Sequence, residues 1–299
     1  MSDYYTGPVE VVPSRGGDKP TAAPPRRPRW LWPLVGVLAV GAVVVWLIVN
    51  GQSESSRWHF AAAQEKWAAG KREEAYASLQ RAIALDPQVP RYYLQQATWL
   101  RGTKDYAGAL AAIDQGLKNC GDTAELLVER SHNLQHLGRH PEAVETWEKI
   151  AALSEAGQLD RSTAMNGLAY AQSLGKLDLE KALRRVNIAL KSDPDSAAIL
   201  DTRGYIYFLM GDLPEAKADL DRAISVMENI VPPGLVVRPD TSGDASLRSQ
   251  GVNDLLNGLA VMHYHRAQLH EAMGDAAAAK QDLARVRELI HRDPDEHLF

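Results

Sequence analysis

The side chains best suited to chemistry in this sequence are histidines, three of which follow one another at four-residue spacing. His132, His136 and His140 stand in the string ERSHNLQHLGRH, and Glu125 lies seven residues before His132. Residues four and seven apart share a helix face, so Glu125, His132 and His136 could bind a divalent metal ion. Gly138 indicates that this helix ends before His140. Because no fourth ligand is evident, a metal-binding or metal-sensing module is an alternative hypothesis, and we predict no metal or cofactor.

Motifs of the common enzyme classes are missing from the sequence. It contains no G-x-G-x-x-G or G-x-x-x-x-G-K-[ST] phosphate loop, no G-x-S-x-G nucleophile turn and no H-E-x-x-H zinc motif. Cys120 is the one cysteine among 299 residues, which excludes internal disulfides and four-cysteine metal sites. The net charge of -5 disfavours nucleic-acid binding, which needs a basic patch. We therefore expect a protein without catalytic residues.

Residues 30–49 form an apolar segment, WLWPLVGVLAVGAVVVWLIV, that contains no charge. As a helix it would be about 30 Å long, which matches the hydrocarbon core of a bilayer. It is longer than the apolar core of a cleaved signal peptide and no A-x-A cleavage site follows it, so we expect a transmembrane signal anchor. Residues 1–29 are proline-rich and carry five basic and three acidic residues, which predicts a disordered basic tail and leaves a net charge of -7 beyond it.

The charges on either side of the apolar segment predict its orientation. Arg26, Arg27 and Arg29 directly precede it, whereas Arg57 is the only basic residue from 50 to 65. The positive-inside rule then keeps the N-terminal tail in the cytoplasm and exports the larger part, with a bacterial periplasm as the expected compartment. The reverse topology, with a cytosol-facing domain, is an alternative.

An internal repeat organises residues 57–294. Alanines recur at or near 34-residue intervals: Ala75, Ala109, Ala143, Ala182, Ala216 and Ala279. A small residue stands twelve or thirteen positions before each of them: Ala63, Ala97, Ser131, Ala169, Gly204 and Ala267. Glycine stands five positions before four of the alanines. This spacing predicts helical hairpins, in which glycine ends the first helix and the small residues lie where the two helices touch.

The hairpin pattern resembles the tetratricopeptide repeat, a helix–turn–helix unit of 34 residues. The resemblance is closest in residues 200–225, LDTRGYIYFLMGDLPEAKADLDRAIS, and it extends over about four-fifths of the chain. It implies an all-α, right-handed α-solenoid of about six hairpins.

The sequence departs from the repeat pattern at several positions. Lys104 replaces one turn glycine, and a usually apolar position holds Arg130, Arg203 and Arg266. The insert 232–251 is expected to form a long loop, followed by an apolar helix from about 252 to 273. At the C-terminal end, residues that could cover the last hairpin or bind a second copy of the chain are Leu289, Ile290, Leu298 and Phe299.

The resemblance further implies that a partner peptide or helix binds in a concave groove lined by the first helix of each hairpin. Carried over by position, the groove residues of the first two hairpins are Phe60, Gln64, Trp67, Arg91, Leu94, Thr98 and Arg101, with Arg57 before them. Those of the third to fifth hairpins are Glu125, Val128, His132, His136, Asn166, Tyr170, Asp201, Tyr205 and Phe208. The lysine–asparagine clamp with which some of these repeats bind chaperone tails is absent, because its positions hold Phe60, Gln64, Leu94 and Thr98.

These observations predict a membrane-anchored scaffold or assembly factor that binds proteins in its groove and the lipid bilayer through residues 30–49. No nucleic-acid partner is expected. With the reverse topology, the chain would be a cytosol-facing receptor for protein targeting.

Overall fold

The computed structural model describes residues 51, 53–155, 160–231 and 247–291. Within them the secondary structure consists of twelve helices. They are α1 (53–68), α2 (Arg72–Leu85), α3 (Pro90–Gly102), α4 (Tyr106–Cys120), α5 (Ala124–His136), α6 (His140–Glu155), α7 (Arg161–Leu174), α8 (Leu179–Ser192), α9 (Ala197–Met210), α10 (Leu213–Ile230), α11 (Leu247–Ala272) and α12 (Ala276–Ile290).

The predicted tail, 1–29, and the predicted membrane span, 30–49, lie outside the described residues. Among the helices that the structure does describe, none combines the length and the apolar character needed to cross a bilayer.

The twelve helices pair into six hairpins, which confirms the repeat pattern. Consecutive helices pack against each other from α2 to α12, and α3 contacts α5, α7 contacts α9 and α9 contacts α11. In these three places the first helices of neighbouring hairpins lie side by side. All six repeated alanines are at most 2% exposed, because they lie where two helix backbones approach each other.

The turns between the paired helices require a left-handed backbone residue. Gly70, Gly138 and Gly211 adopt φ values of 75°, 68° and 89° at the predicted positions. Where glycine is missing, Lys104 takes the same conformation at φ 61°. The hydrogen-bonding pattern of the turn therefore imposes the left-handed conformation even on a residue with a Cβ.

Gly204 in α9 provides a test of the close helix approach. A Cβ at this position would lie 2.8 Å from Leu220 Cγ and 3.2 Å from the Ala216 carbonyl oxygen of α10. We expect Gly204→Ala to lower the free energy of unfolding by about 1–2 kcal/mol, because overpacking outweighs the gain in helix propensity.

Urea-induced unfolding of the full chain measures this effect. Gly251→Ala is the matched control, since Gly251 is exposed in α11 and a Cβ there meets nothing within 4 Å. The control is expected to stabilise the chain by about 0.5–1 kcal/mol. Equal stability of the two variants would contradict the close packing of α9 on α10.

The three arginines at the usually apolar position are paired rather than misplaced. Arg203 donates to both carboxylate oxygens of Asp219, at 2.6 and 2.8 Å, and to Asn187 Oδ1 at 3.0 Å. Arg203 therefore links α10, the second helix of its own hairpin, to α8, the second helix of the preceding hairpin. The same arrangement recurs for Arg130 with Thr146 and Asp114, and for Arg266 with Asp282 and Asp221. A half-buried guanidinium is tolerated here because these partners satisfy it.

The predicted loop 232–251 is wrong at its C-terminal end, because α11 begins at Leu247. Residues 247–250, LRSQ, contain mostly helix-forming side chains that extend α11 toward its N terminus. Residues 232–246 lie outside the described residues. At the other end of the array, Leu289 is 1% exposed and Ile290 packs on the same core, so both belong to the last hairpin. Leu298 and Phe299 are also outside the described residues.

Candidate functional site

A cavity of about 650 Å³ opens on the layer formed by the first helices of the hairpins. Its lining comes from α3, α5, α7, α9 and α11, with one side chain, Trp147, from α6. Cavities of 300–1,000 Å³ are the usual size of ligand sites in proteins. The cavity is therefore the candidate binding site among the residues that the structure describes.

Six of the sixteen predicted groove residues line this cavity. They are Arg101, His132, His136, Asn166, Tyr170 and Asp201. These residues lie on four different helices and are separated by up to 100 positions in sequence. The stacking of the first helices brings them together, as the repeat pattern predicts.

An ion pair stands at one side of the cavity, where α3 faces α5. The Arg101 guanidinium donates a hydrogen bond to the Glu129 carboxylate. His132 lies one turn after Glu129 on α5, and burial lowers its pKa, although the negative charge of Glu129 opposes this shift. His132 is therefore a neutral hydrogen-bonding group near pH 7, and Arg101 is engaged by its neighbour.

A second polar group lies where α9 meets α11. Asp201 is 6% exposed, and its two carboxylate oxygens lie 2.9 and 3.0 Å from Nδ1 of the fully buried His265. Tyr205 stacks on the same imidazole with ring centroids 4.2 Å apart. Burial, reinforced by the negative charge of Asp201, raises the pKa of Tyr170 well above 10, so its hydroxyl stays protonated.

Trp147 enters the cavity from α6 because α7 has a glycine opposite it. A Cβ at Gly167 would lie 2.3 Å from the indole ring, so the ring fits here only because residue 167 has no side chain. Trp147 is 5% exposed, and its Nε1–H has no hydrogen-bond partner within the described structure. Asn166 Oδ1, next to Gly167 in sequence, is likewise without a partner.

The metal-binding alternative is not supported by the arrangement of its three residues. Glu125 is exposed and does not line the cavity, whereas His136 stacks on Tyr106 with centroids 4.4 Å apart. Across the described residues, no group of three or more histidine, cysteine or acidic side chains could hold a metal ion. The three residues lie on one face of α5, but only the two histidines line the cavity.

The predicted groove residues of the first two hairpins lie outside the cavity, Arg101 excepted. Trp67 stacks on Trp99 with ring centroids 4.3 Å apart and planes within 5°. Phe60 packs against Tyr92, with the Arg91 guanidinium 5.1 Å from its ring centroid. The others form local contacts: Gln64 with Gln95, Leu94 with the adjacent core, and the Thr98 hydroxyl with the Leu94 carbonyl.

Three further predicted residues also lie outside the cavity. Val128 packs on the core cluster of the third hairpin. Tyr205 and Phe208 stack together with ring centroids 6.1 Å apart. These aromatic side chains therefore support the packing of the hairpins around the cavity.

Several cavity residues were missed from the sequence. Glu129, Gln135, Thr163 and Thr202 lie within one helical turn of predicted residues, so a wider stripe along each first helix would have included them. The contribution of α11, through Asp254, Asn257, Gly258, Val261 and Met262, had no comparable signal, because a long insert separates this helix from the preceding hairpin.

Comparison with known proteins agrees with the architecture. Residues 58–89 and 197–229 each match the family model of the tetratricopeptide repeat. A TPR repeat-containing protein of Pseudomonas aeruginosa is 29% identical over 157 residues, which cover 52% of this chain and 26% of that protein. This chain therefore spans about a quarter of the length of that curated relative.

Two solved structures have a similar fold. A tetratricopeptide repeat protein from Parabacteroides merdae superimposes with a TM-score of 0.57 at 16% identity, over 78% of each chain. PilW, described as a type IV pilus biogenesis factor, superimposes with a TM-score of 0.52 at 19% identity, over 78% of this chain and 92% of its own. Two segments of the chain therefore match the tetratricopeptide-repeat model, and the helical solenoid of the described residues has the fold of these two solved structures.

Proposed function

We propose that this chain is a non-enzymatic scaffold or assembly factor that binds a segment of a partner protein on the layer of first helices. The observation that carries the proposal is the 650 Å³ cavity, to which five of the six first helices contribute. Such a surface exists only when the hairpins are stacked, and it presents both aromatic and hydrogen-bonding side chains, as peptide-binding grooves do.

The relatives support an assembly role. PilW is described as a pilus biogenesis factor, and its structure aligns over most of both chains. Because its identity to this chain is 19%, the likeness concerns the fold, and the partner of this chain is inferred from its own cavity.

We further propose that residues 30–49 anchor the repeats to a membrane, with the N-terminal tail in the cytoplasm and the repeats outside it. The uncharged twenty-residue segment and the preceding arginines support this arrangement. An anchor raises the effective concentration of partners at the bilayer, which favours assembly there.

Labelling of an introduced cysteine tests this topology. Cys120 is a poor reporter, because burial raises the pKa of its thiol. A Cys120→Ser/Ile188→Cys chain has its cysteine at a side chain that is 42% exposed in α8. We expect a membrane-impermeant maleimide to label it in intact spheroplasts. Labelling only after lysis would favour the cytosol-facing receptor instead.

Site-specific photo-crosslinking in cells tests the binding function. A photoreactive amino acid at Gln135 or Thr163, which line the cavity, is expected to capture a discrete partner protein. The same amino acid at Ile188, on the second helix of its hairpin, is the control and is expected to capture none. Identical products from all three positions, or no product from either cavity position, would contradict a partner-binding cavity.

A further inference from the structure

The residues that line the cavity carry an excess of negative charge. Its lining includes three carboxylates, those of Glu129, Asp201 and Asp254, but a single guanidinium, that of Arg101. Arg101 is already paired with Glu129. The lowered pKa of His132 keeps that imidazole uncharged near pH 7, so it does not offset the acidic groups.

Asp254 is the carboxylate best placed to meet a ligand. Glu129 and Asp201 each bind a neighbour, whereas Asp254 is exposed on α11 and lines the cavity beside Asn257 and Gly258. Gly258 leaves this wall open, because a Cβ there would touch only Met227 Cε, at 3.8 Å. Among the described residues, Asp254 is exposed and lies one helical turn from this open part of the wall.

Two polar atoms in residues of the cavity wall lack a hydrogen-bond partner among the described residues. Trp147 is 5% exposed, and within the described part of the chain its indole N–H has no acceptor and Asn166 Oδ1 has no donor. Buried polar groups without partners are costly and are rare in folded proteins. Both atoms are nearly inaccessible, so a ligand in the cavity would reach them only after a local rearrangement, and the exposed Asp254 carboxylate is the polar group open to it.

The size of the cavity favours a short anchor over a long helix. A helix of 10–12 Å diameter fills on the order of 500 Å³ per turn, so 650 Å³ holds about one turn of chain. One long side chain with its flanking main chain fits this space.

We propose that the cavity is a cation subsite, which receives one lysine or arginine side chain from an extended segment of the partner. This inference rests on the proposed function, because it assigns the chemistry of the segment that the repeats bind. Asp254 supplies the charge that the basic side chain meets.

Selection from a displayed library of random dodecapeptides on the immobilised full chain tests the inference. We expect the retained peptides to share a lysine or arginine at one position. If peptides are retained without a basic preference, the cation subsite is wrong while the groove function stands. If no peptide is retained above an uncoated surface, the proposed function and the subsite are both contradicted.

Substitutions in α11 then locate the charge. For a retained lysine peptide, Asp254→Asn is expected to weaken binding about threefold to fivefold, as for a partly exposed ion pair. Charge reversal in Asp254→Lys is expected to weaken it about tenfold or more. The control Glu271→Lys reverses an exposed charge on the same helix outside the cavity and should change affinity less than about twofold.

Replacing the lysine of the peptide by norleucine should abolish its sensitivity to Asp254→Asn, because the charge pair is then already lost. If the norleucine peptide remains equally sensitive, Asp254 acts on the structure of the cavity rather than on the cation, and the proposal is overturned.

Discussion

Ala198→Trp is expected to weaken partner binding about thirtyfold or more, which corresponds to ~2 kcal/mol, while the repeats stay folded. Ala198 is exposed at the start of α9 and lines the cavity. An indole there occupies space that the partner segment needs, but it replaces no packed side chain. The effect should therefore fall on binding and not on the unfolding midpoint.

The affinity of a retained peptide, measured by calorimetry together with the urea unfolding midpoint of the same variant, checks this expectation. Ala218→Trp is the matched control, since Ala218 is exposed on α10 and does not line the cavity. The control should bind as the unaltered chain does. Equal binding by both tryptophan variants would place the partner elsewhere on the solenoid.

Asp282→Ala is expected to lower the free energy of unfolding by about 3 kcal/mol. Asp282 is 2% exposed and accepts hydrogen bonds from His263 Nδ1 at 2.8 Å and from Arg266 Nε and Nη2 at 3.0 and 2.7 Å. Removing the carboxylate leaves these donors unpaired inside the last hairpin, which is much costlier than losing a surface ion pair. The loss should appear as a lower midpoint in urea-induced unfolding.

An exposed aspartate–arginine pair supplies the control for this substitution. Asp195 contacts Arg222 with side-chain exposures of 78% and 52%, so Asp195→Ala is expected to cost less than about 1 kcal/mol. Similar losses in the two variants would contradict the assignment of Asp282 as a buried structural acceptor.

The Asp282 carboxylate also makes the free energy of unfolding depend on pH. Burial disfavours the charged form of Asp282, but the hydrogen bonds from His263 and Arg266 outweigh it and lower the pKa from 3.8 to about 2. Because this pKa is lower in the folded chain than in the unfolded chain, the ionised carboxylate stabilises the fold at pH values above about 3.8. This contribution is lost as the pH falls from about 3.8 to about 2. Relative to Asp282→Asn, the unaltered chain should therefore lose about 2 kcal/mol across that interval.

The six hairpins could be predicted from the sequence because their determinants are local and repeated. Glycine at a left-handed turn, as at Gly70 and Gly138, follows from steric limits on a single residue. Small residues twelve or thirteen positions apart follow from the geometry of two antiparallel helices. The sequence also indicates the ion-pair partners of two arginines. Arg203 and Arg266 are each followed sixteen residues later by an aspartate, and in the structure this aspartate accepts their hydrogen bonds.

The cavity was only partly predictable, because its walls depend on how far the hairpins curve around one another. Repeat position alone identified six lining residues, including Asn166 and Tyr170, but it also suggested Phe60 and Trp67, which pack within the first two hairpins. Position within a repeat specifies the side of a helix on which a residue lies. It does not specify which neighbouring side chains fill the space in front of it.

By itself, the sequence determined the number of hairpins, their turns and the helix faces that meet, since each depends on residues close together in the chain. Tertiary structure alone brought Arg101 of α3 and Met262 of α11 to the same cavity and admitted Trp147 opposite Gly167. It also placed His132 and His136 at the cavity while Glu125, on the same helical stripe, lies outside it. The physical reason is that small rotations between successive hairpins accumulate along a solenoid, so contacts between distant repeats depend on the whole stack.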